Sequence, residues 1–162
     1  MRTALIGFLV AASLAAQTLA SLARSYRESP TAARREALVK FASGRPADAQ
    51  GALALLALGV TAVEAGRYEE ALGYLKKIGS RLPELGDYLA YYQGQALAGL
   101  ERHAEAAGSL SKIAGFQPAS PLAGNAAVAA ARAWLAAGNP TGARAHLESQ
   151  YSRLPPPAGD LT

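Results

Sequence analysis

Cysteine is absent from the 162-residue chain, which excludes disulfides, thiol nucleophiles and cysteine-ligated metals. It also excludes the lipid-modified cysteine of a bacterial lipoprotein. Aromatic residues make up only 7%, and isoleucine, valine and threonine are too few to supply several strands, whereas alanine and leucine are abundant. The composition therefore predicts an all-α chain, long enough to form one modest domain.

Acidic residues are outnumbered by basic ones, twelve to sixteen, which gives a net charge of +4. Such an excess could favour an anionic surface such as phospholipid or cell-wall polymer, or it could simply keep the chain in solution. No glycine-rich phosphate loop is present and no aromatic residues alternate with a basic stripe, so a nucleic-acid partner is not expected. His103 and His146 lie far apart without obvious carboxylate partners, so neither a metal nor another cofactor is predicted.

The N-terminus has the features of a secretory signal. Arg2 provides a positive start, residues 4–16 are apolar, and the small residues Thr18 and Ala20 fit a signal peptidase site. The apolar run, about 13 residues, is shorter than the roughly 20 that cross a bilayer. We therefore predict a signal peptide over residues 1–20, cleaved near Ala20 or alternatively near Ala23, and a periplasmic location. An uncleaved membrane anchor is the alternative.

An internal repeat follows a segment, residues 21–46, that reads as a linker and a leading helix. Five positions recur at an offset of 35 residues, namely Gly59/Gly94, Ala71/Ala106, Leu75/Leu110, Ile78/Ile113 and Pro83/Pro118. A third copy follows at an offset of 37, with Ala131, Ala143, Leu147 and Pro155 at the matching positions. Small residues at fixed positions indicate that paired helices cross closely there, and the leucines are expected to fill the space toward the next pair.

This pattern resembles the tetratricopeptide repeat (TPR), a helix-turn-helix unit of about 34 residues. The resemblance implies that residues 47–154 form about three antiparallel hairpins in a short right-handed superhelix, a docking surface without chemistry of its own. Residues 155–162 are then a proline-rich tail or linker. The first helices are predicted at 49–65, 87–99 and 121–136, and the second helices at 68–80, 102–114 and 140–152.

Capping residues support this register. Asp87, Ser120 and Asn139 are expected to cap helix starts. Gly66 and Gly138 are expected to end first helices with positive φ. Prolines 83, 118 and 155 are expected to end the second helices. An extra helix at 31–43, capped by Ser29 or Thr31 and ended by Gly44, precedes the repeats.

A narrower resemblance rests on two stretches, Gly66-Arg67-Tyr68-Glu69-Glu70-Ala71 and Gly86-Asp87-Tyr88-Leu89-Ala90-Tyr91-Tyr92. With the signal and leading helix, they are similar to the helical superhelix of periplasmic soluble lytic murein transglycosylases. The resemblance implies a helical part that positions a separate catalytic domain on peptidoglycan. Glu148-Ser149-Gln150-Tyr151 resembles the signature around that domain's catalytic glutamate, but the expected downstream Gly-Leu-Met-Gln-type segment is absent. We therefore predict a non-catalytic chain with Glu148 on a helix surface.

The first helices of such stacks line a concave groove, which identifies candidate partner-binding residues. These are Tyr88, Tyr91 and Gln95 from the second repeat and Asn125 and Arg132 from the third. The matching positions of the first repeat are apolar: Leu53, Leu56, Val60 and Val63. We expect a protein or peptide partner, including peptidoglycan-associated proteins, in this groove. The alternatives are that these side chains pack against the leading helix or a neighbouring repeat, and that the chain is an adaptor of an envelope, outer-membrane or cell-division complex.

Overall fold

The computed structural model describes residues 18–151, and within them the backbone forms eight α-helices and no strand. This confirms the predicted all-α class. The helices are α1 (Leu19–Glu28), α2 (Ala32–Ser43), α3 (Ala49–Glu64), α4 (Tyr68–Lys76), α5 (Gly86–Gly99), α6 (His103–Ser111), α7 (Ala123–Ala136) and α8 (Pro140–Gln150). The predicted signal up to residue 17 and the predicted tail, 155–162, lie outside the described residues. None of the helices in the described range is both long and apolar enough to cross a membrane.

The helices pack in chain order. Three residues each connect α3 to α4, α5 to α6 and α7 to α8, and connections this short make the two helices antiparallel. Each of these hairpins then packs on the next one, through α4 against α5 and α6 against α7. The observed α3, α5 and α7 match the predicted first helices to within two residues at each end.

Two glycines mark where the helices of a hairpin cross. A Cβ added to Gly59 would lie 2.5 Å from Leu75 Cδ2, and one added to Gly94 would lie 2.5 Å from Leu110 Cγ. The predicted close crossings are therefore confirmed. Leu75 and Leu110 are buried against the glycine of their own hairpin, so their first role is inside the hairpin rather than toward the next one.

Some predicted helix ends are confirmed and others are wrong. Gly66 and Gly138 have φ values of 71° and 74° at the ends of α3 and α7, as expected. The prolines do not end the second helices, because α4 ends seven residues before Pro83 and α6 seven residues before Pro118. A positive φ at Gly79 and the short 3-10 helix Lys112–Gly115 follow those ends. Both prolines therefore lie in the connections between hairpins.

Two of the predicted caps bond to each other instead of capping. Ser120 lies before α7 and Asp87 lies inside the first turn of α5, and both side chains are buried. The Ser120 hydroxyl donates to Asp87 Oδ2 at 2.5 Å, and the Leu122 N–H donates to the Ser120 oxygen at 3.1 Å. This buried contact joins the starts of α5 and α7. By contrast, Asn139 caps α8 and Thr31 caps α2 as predicted.

Helix α1 lies in a segment where the sequence predicts the end of a signal peptide and the start of a linker. Its Tyr26 is 1% exposed and packs with Leu38 of α2 and Leu58 of α3. The Tyr26 hydroxyl accepts a hydrogen bond of 3.0 Å from Arg67 Nη2 in the α3–α4 connection. Because α1 packs on α2 and α3, the N-terminal part contains a hairpin rather than a single leading helix. The predicted cleavage position near Ala20 lies within α1.

A cluster of polar side chains joins this N-terminal hairpin to α4. The Glu70 carboxylate accepts hydrogen bonds from Arg35 Nη1 at 2.9 Å, Arg67 Nε at 2.8 Å and the Tyr74 hydroxyl at 3.1 Å. Burial alone would raise the pKa of Glu70, but the three donors outweigh it and lower the pKa below its usual 4.5. Glu70 is therefore held in its charged form at the junction.

Candidate partner-binding groove

A groove of about 600 Å³ lies between α5 and α7, and we call it the α5–α7 groove. Tyr91 and Gln95 from α5 and Asn125 and Arg132 from α7 line it. Four of the five predicted partner-binding residues therefore meet in one place, although they come from two different repeats. The fifth, Tyr88, is half-buried at the start of α5 and is not among the residues that line the groove.

The remaining lining residues are mostly small or apolar. Helix α6 contributes His103 and Leu110, and α7 contributes Val128 and Ala129 among others. Sequence reasoning identified polar residues next to the crossing positions but not these walls. The register could have identified His103, because it lies 35 residues after Tyr68, at the start of the next second helix.

The groove is open because smaller residues occupy two register positions that hold tyrosines one repeat earlier. Ala129 lies 37 residues after Tyr92, which packs against the buried cluster around Leu75. His103 takes the register position of Tyr68, and a Cβ on Gly99 would lie 2.3 Å from Tyr68 Cε2. Tyrosines therefore fill the interval between α3 and α5, whereas an alanine and a histidine leave space between α5 and α7.

Hydrogen-bonding groups face an apolar surface in this groove. The Tyr91 ring meets Tyr92 edge-on, with centroids 5.6 Å apart and planes at 88°, which orients it. Burial, followed by the negative charge of Glu64, raises the pKa of Tyr92, so this phenol stays protonated. The guanidinium of Arg132 is exposed. Amides, a phenol and a guanidinium above alanine and valine can hold a polypeptide through both its backbone and its side chains.

The apolar positions of the first repeat lie beside α1. Leu53, Leu56 and Val60 of α3 line a second groove of about 380 Å³, whose other wall includes Arg24 and Arg27 of α1. We call it the α1–α3 groove. Leu53 and Leu56 also pack against the buried residues around Leu75 and Ile78 of α4 and its following turn, while Val63 packs in a different cluster. The apolar end of the predicted surface is therefore partly covered by α1 and by neighbouring residues.

The Glu148 side chain lies on the exposed face of α8. Its Oε1 is 2.7 Å from Arg144 Nε, and the two side chains are 63% and 81% exposed. This is an ion pair in solvent rather than a carboxyl group in a cleft. Among residues 18–151, no three histidine, aspartate or glutamate side chains are placed to share a metal ion.

The geometry of the α5–α7 groove thus suits binding of a polypeptide segment. Comparisons of the chain with protein-family models, with curated proteins and with solved structures find no match.

Proposed function

We propose that the chain is a TPR-like scaffold that binds a protein or peptide segment in the α5–α7 groove and carries no chemistry of its own. The repeated packing of Gly59 on Leu75 and of Gly94 on Leu110 supports a TPR-like stack, because the same contact recurs at the 35-residue offset. The three-residue turns support it further, since they keep the first helices on one side. A short right-handed superhelix is the expected arrangement.

The observation that carries the proposal is the convergence of Tyr91, Gln95, Asn125 and Arg132 on one groove. The repeat register together with the TPR resemblance predicts these four residues and Tyr88, which does not line the groove. The groove volume of about 600 Å³ falls within the roughly 300–1,000 Å³ of typical ligand pockets. Its lining covers about two turns of α5, from Tyr91 to Ala98, and about three turns of α7, from Asn125 to Ala136, so an extended or helical segment can lie against it.

The cellular setting belongs to the same proposal. The signal-like N-terminus and the resemblance to the helical region of soluble lytic murein transglycosylases favour a periplasmic scaffold with partners near peptidoglycan. Expressed with a C-terminal tag in a Gram-negative host, the chain is expected in the periplasmic fraction. Recovery in the cytoplasmic fraction, with a periplasmic marker correctly exported, would contradict this setting.

Filling the groove tests the binding site. Ala129→Tyr places in α7 the residue that α5 has at Tyr92 and should occupy the space between the walls. Peptides selected from a random linear library on the native chain should bind this variant at least about tenfold more weakly, as measured by fluorescence anisotropy.

The matched control is Leu135→Tyr on the same helix, at a side chain that is 57% exposed and outside the groove lining. It should bind the selected peptides like the native chain. Equal affinity of Ala129→Tyr and the native chain would refute the α5–α7 groove as the binding site. Circular dichroism of both variants checks that the helices are intact.

A further inference from the structure

Most arginines of the described range already have a partner. Ten arginines lie between residues 18 and 151. Arg35, Arg67, Arg102 and Arg144 form ion pairs, Arg34 and Arg81 donate to backbone carbonyls, and Arg45 lies over the ring of Phe41. That leaves three, Arg24, Arg27 and Arg132, without a hydrogen-bond, ion-pair or ring partner in this part of the chain.

The three unpartnered arginines are those that border the two grooves. Arg24 and Arg27 line the α1–α3 groove, and Arg132 lines the α5–α7 groove. All three are exposed, so each guanidinium keeps its donors available. A planar guanidinium with five donors matches a carboxylate in a two-point hydrogen bond, which makes it a preferred group for recognising that anion.

Neither groove contains a carboxylate that would neutralise these arginines. The residues lining them include no aspartate and no glutamate. The positive potential is therefore uncompensated within each groove, and a partner with negative charge gains from both attraction and hydrogen bonding. The arginines elsewhere in the described range have partners, as in the contacts of Glu70 with Arg35 and Arg67.

The groove walls determine which anion fits. Leu53, Leu56 and Val60 form one wall of the α1–α3 groove, and Val128 and Ala129 belong to the α5–α7 groove. A glycan or a phosphate polymer offers little apolar surface to such walls. A polypeptide with apolar side chains beside acidic ones complements both the walls and the guanidinium groups.

We propose that Arg24, Arg27 and Arg132 select an acidic polypeptide segment whose apolar side chains enter the grooves while its carboxylates pair with these guanidinium groups. This inference rests on the proposed function, because it names the class of partner for the same surface. It adds Arg24 and Arg27, which sequence reasoning did not assign to the binding surface, beside the apolar positions of the first repeat.

A triple variant removes the three charges and keeps hydrogen-bonding side chains: Arg24→Gln, Arg27→Gln and Arg132→Gln, here the groove triple. The probes are peptides selected from a random linear library on the native chain, each paired with an isostere in which aspartate becomes asparagine and glutamate becomes glutamine. The selected peptides should be enriched in acidic residues next to apolar ones. Their affinity should fall at least about tenfold for the groove triple, and the isosteres should lose as much on the native chain.

A control triple loses the same charge outside both grooves: Lys40→Gln, Lys76→Gln and Arg144→Gln. These residues are exposed on α2, α4 and α8. The control triple should stay within about twofold of the native affinity, because exposed charges at a distance are screened by salt. An equal loss for both triples would show only a net-charge effect and would overturn the inference.

The outcomes separate this inference from the proposed function. Peptides without acidic enrichment, or isosteres that bind equally well, would overturn the acidic partner while Ala129→Tyr still tested the groove itself. If Ala129→Tyr also bound the selected peptides normally, both the acidic partner and the proposed binding site would be refuted. Sedimentation with phosphatidylglycerol vesicles covers the other anionic occupant. Vesicle binding that is lost in the groove triple, together with equal binding of the isosteres, would assign the arginines to a lipid surface and overturn the acidic peptide.

Discussion

At the scale of single residues, the backbone of Glu101 is the most informative departure from the repeat. It has a φ of 60° and is the non-glycine residue with positive φ in the described part of the chain. Gly66 and Gly138 have the same role in the neighbouring hairpins, at offsets of 35 and 37. An L side chain in this left-handed region costs about 1–2 kcal/mol.

Glu101→Gly should therefore raise the free energy of unfolding. We expect a gain of about 0.5–1 kcal/mol, because relief of the positive φ outweighs the added freedom of glycine in the unfolded chain. Urea titration followed by circular dichroism measures it. Glu101→Ala keeps the Cβ and should bring no such gain, so a similar gain in both variants would contradict the backbone explanation.

Glycine-to-alanine substitutions at two positions of the α5–α6 hairpin should change the free energy of unfolding in opposite directions. Gly94→Ala should destabilise the chain by about 1–3 kcal/mol, because its Cβ would meet the buried Leu110 side chain at 2.5 Å. Gly108 lies in the facing helix α6, where an added Cβ would meet no neighbouring residue within 4 Å. Gly108→Ala should stabilise the chain by about 0.5–1 kcal/mol through helix propensity. If both substitutions shift the melting temperature in the same direction, the assigned crossing of α5 and α6 at Gly94 is contradicted.

The sequence allowed the crossing glycines to be predicted but not the strain at Glu101. Gly59 and Gly94 recur at a fixed offset together with their leucines, so their shared role was visible in the pattern. A glutamate at the turn position gives no sign of its φ, because the fold imposes that angle against the residue's own preference. The predicted caps at Ser120 and Asp87 were wrong for a related reason, because side chains that can cap a helix can also hydrogen-bond to each other when buried.

At the scale of helices, α8 contains a histidine whose titration reports on its packing. His146 Nε2 is buried without a hydrogen-bond partner in the described range, and burial lowers the pKa of His146 below 6.5. At pH values between the lowered pKa of the folded chain and about 6.5, the unfolded chain binds a proton at His146 that the folded chain does not bind. The free energy of unfolding should therefore fall as the pH drops below about 6.5.

Replacing His146 by glutamine should reduce the loss of stability between about pH 7.5 and 5.5, since the substituted side chain does not titrate. Melting temperatures of both chains at the two pH values measure it. His103→Gln is the control, because His103 lies at the start of α6 at the edge of the groove. An unchanged pH dependence in His146→Gln would contradict the assignment.

The junction of α2 with α4 depends on Glu70. Glu70→Gln removes the charge that Arg35 and Arg67 share, and we expect a loss of about 0.5–1 kcal/mol at neutral pH, because solvent screens both partly exposed arginines. Since the pKa of Glu70 is lowered, its contribution is present above about pH 4.5 and is lost as the pH falls through the folded-state pKa. Native and variant chains should then converge in acid. Persistent divergence in acid would indicate a packing effect rather than the charge.

Helix positions were predictable where caps or the repeat register marked the ends, as for α2, which Thr31 caps, and α3, which Gly66 follows. Helix α1 was not, because an alanine- and leucine-rich run next to an apolar N-terminus resembles the end of a signal. Its burial depends on Tyr26, whose partners Leu38 and Arg67 are distant in sequence. Tertiary contacts of this kind have no local signature.

At the scale of the whole molecule, four of the five predicted residues line the α5–α7 groove, because equivalent positions of successive repeats face the same side. The groove itself could not be predicted. Its opening depends on the size difference between Ala129 and Tyr92, which matters only once the neighbouring hairpin is in place.

The buried hydrogen bond between Ser120 and Asp87 has a consequence for how firmly the two walls of the groove are held together. It fastens the two walls at the end where α5 and α7 begin, whereas no such bond joins Gly99 and Ala136, the final residues of these helices, within the described structure. Near their final turns the two walls are joined by apolar packing instead, since Leu97 of α5 and Ala133 of α7 belong to one buried cluster. Ser120→Ala should weaken the polar attachment at the starts of α5 and α7, so that selected peptides dissociate faster while their sequence preference is unchanged. Stopped-flow measurement of dissociation would detect this, and an unaltered rate would contradict it.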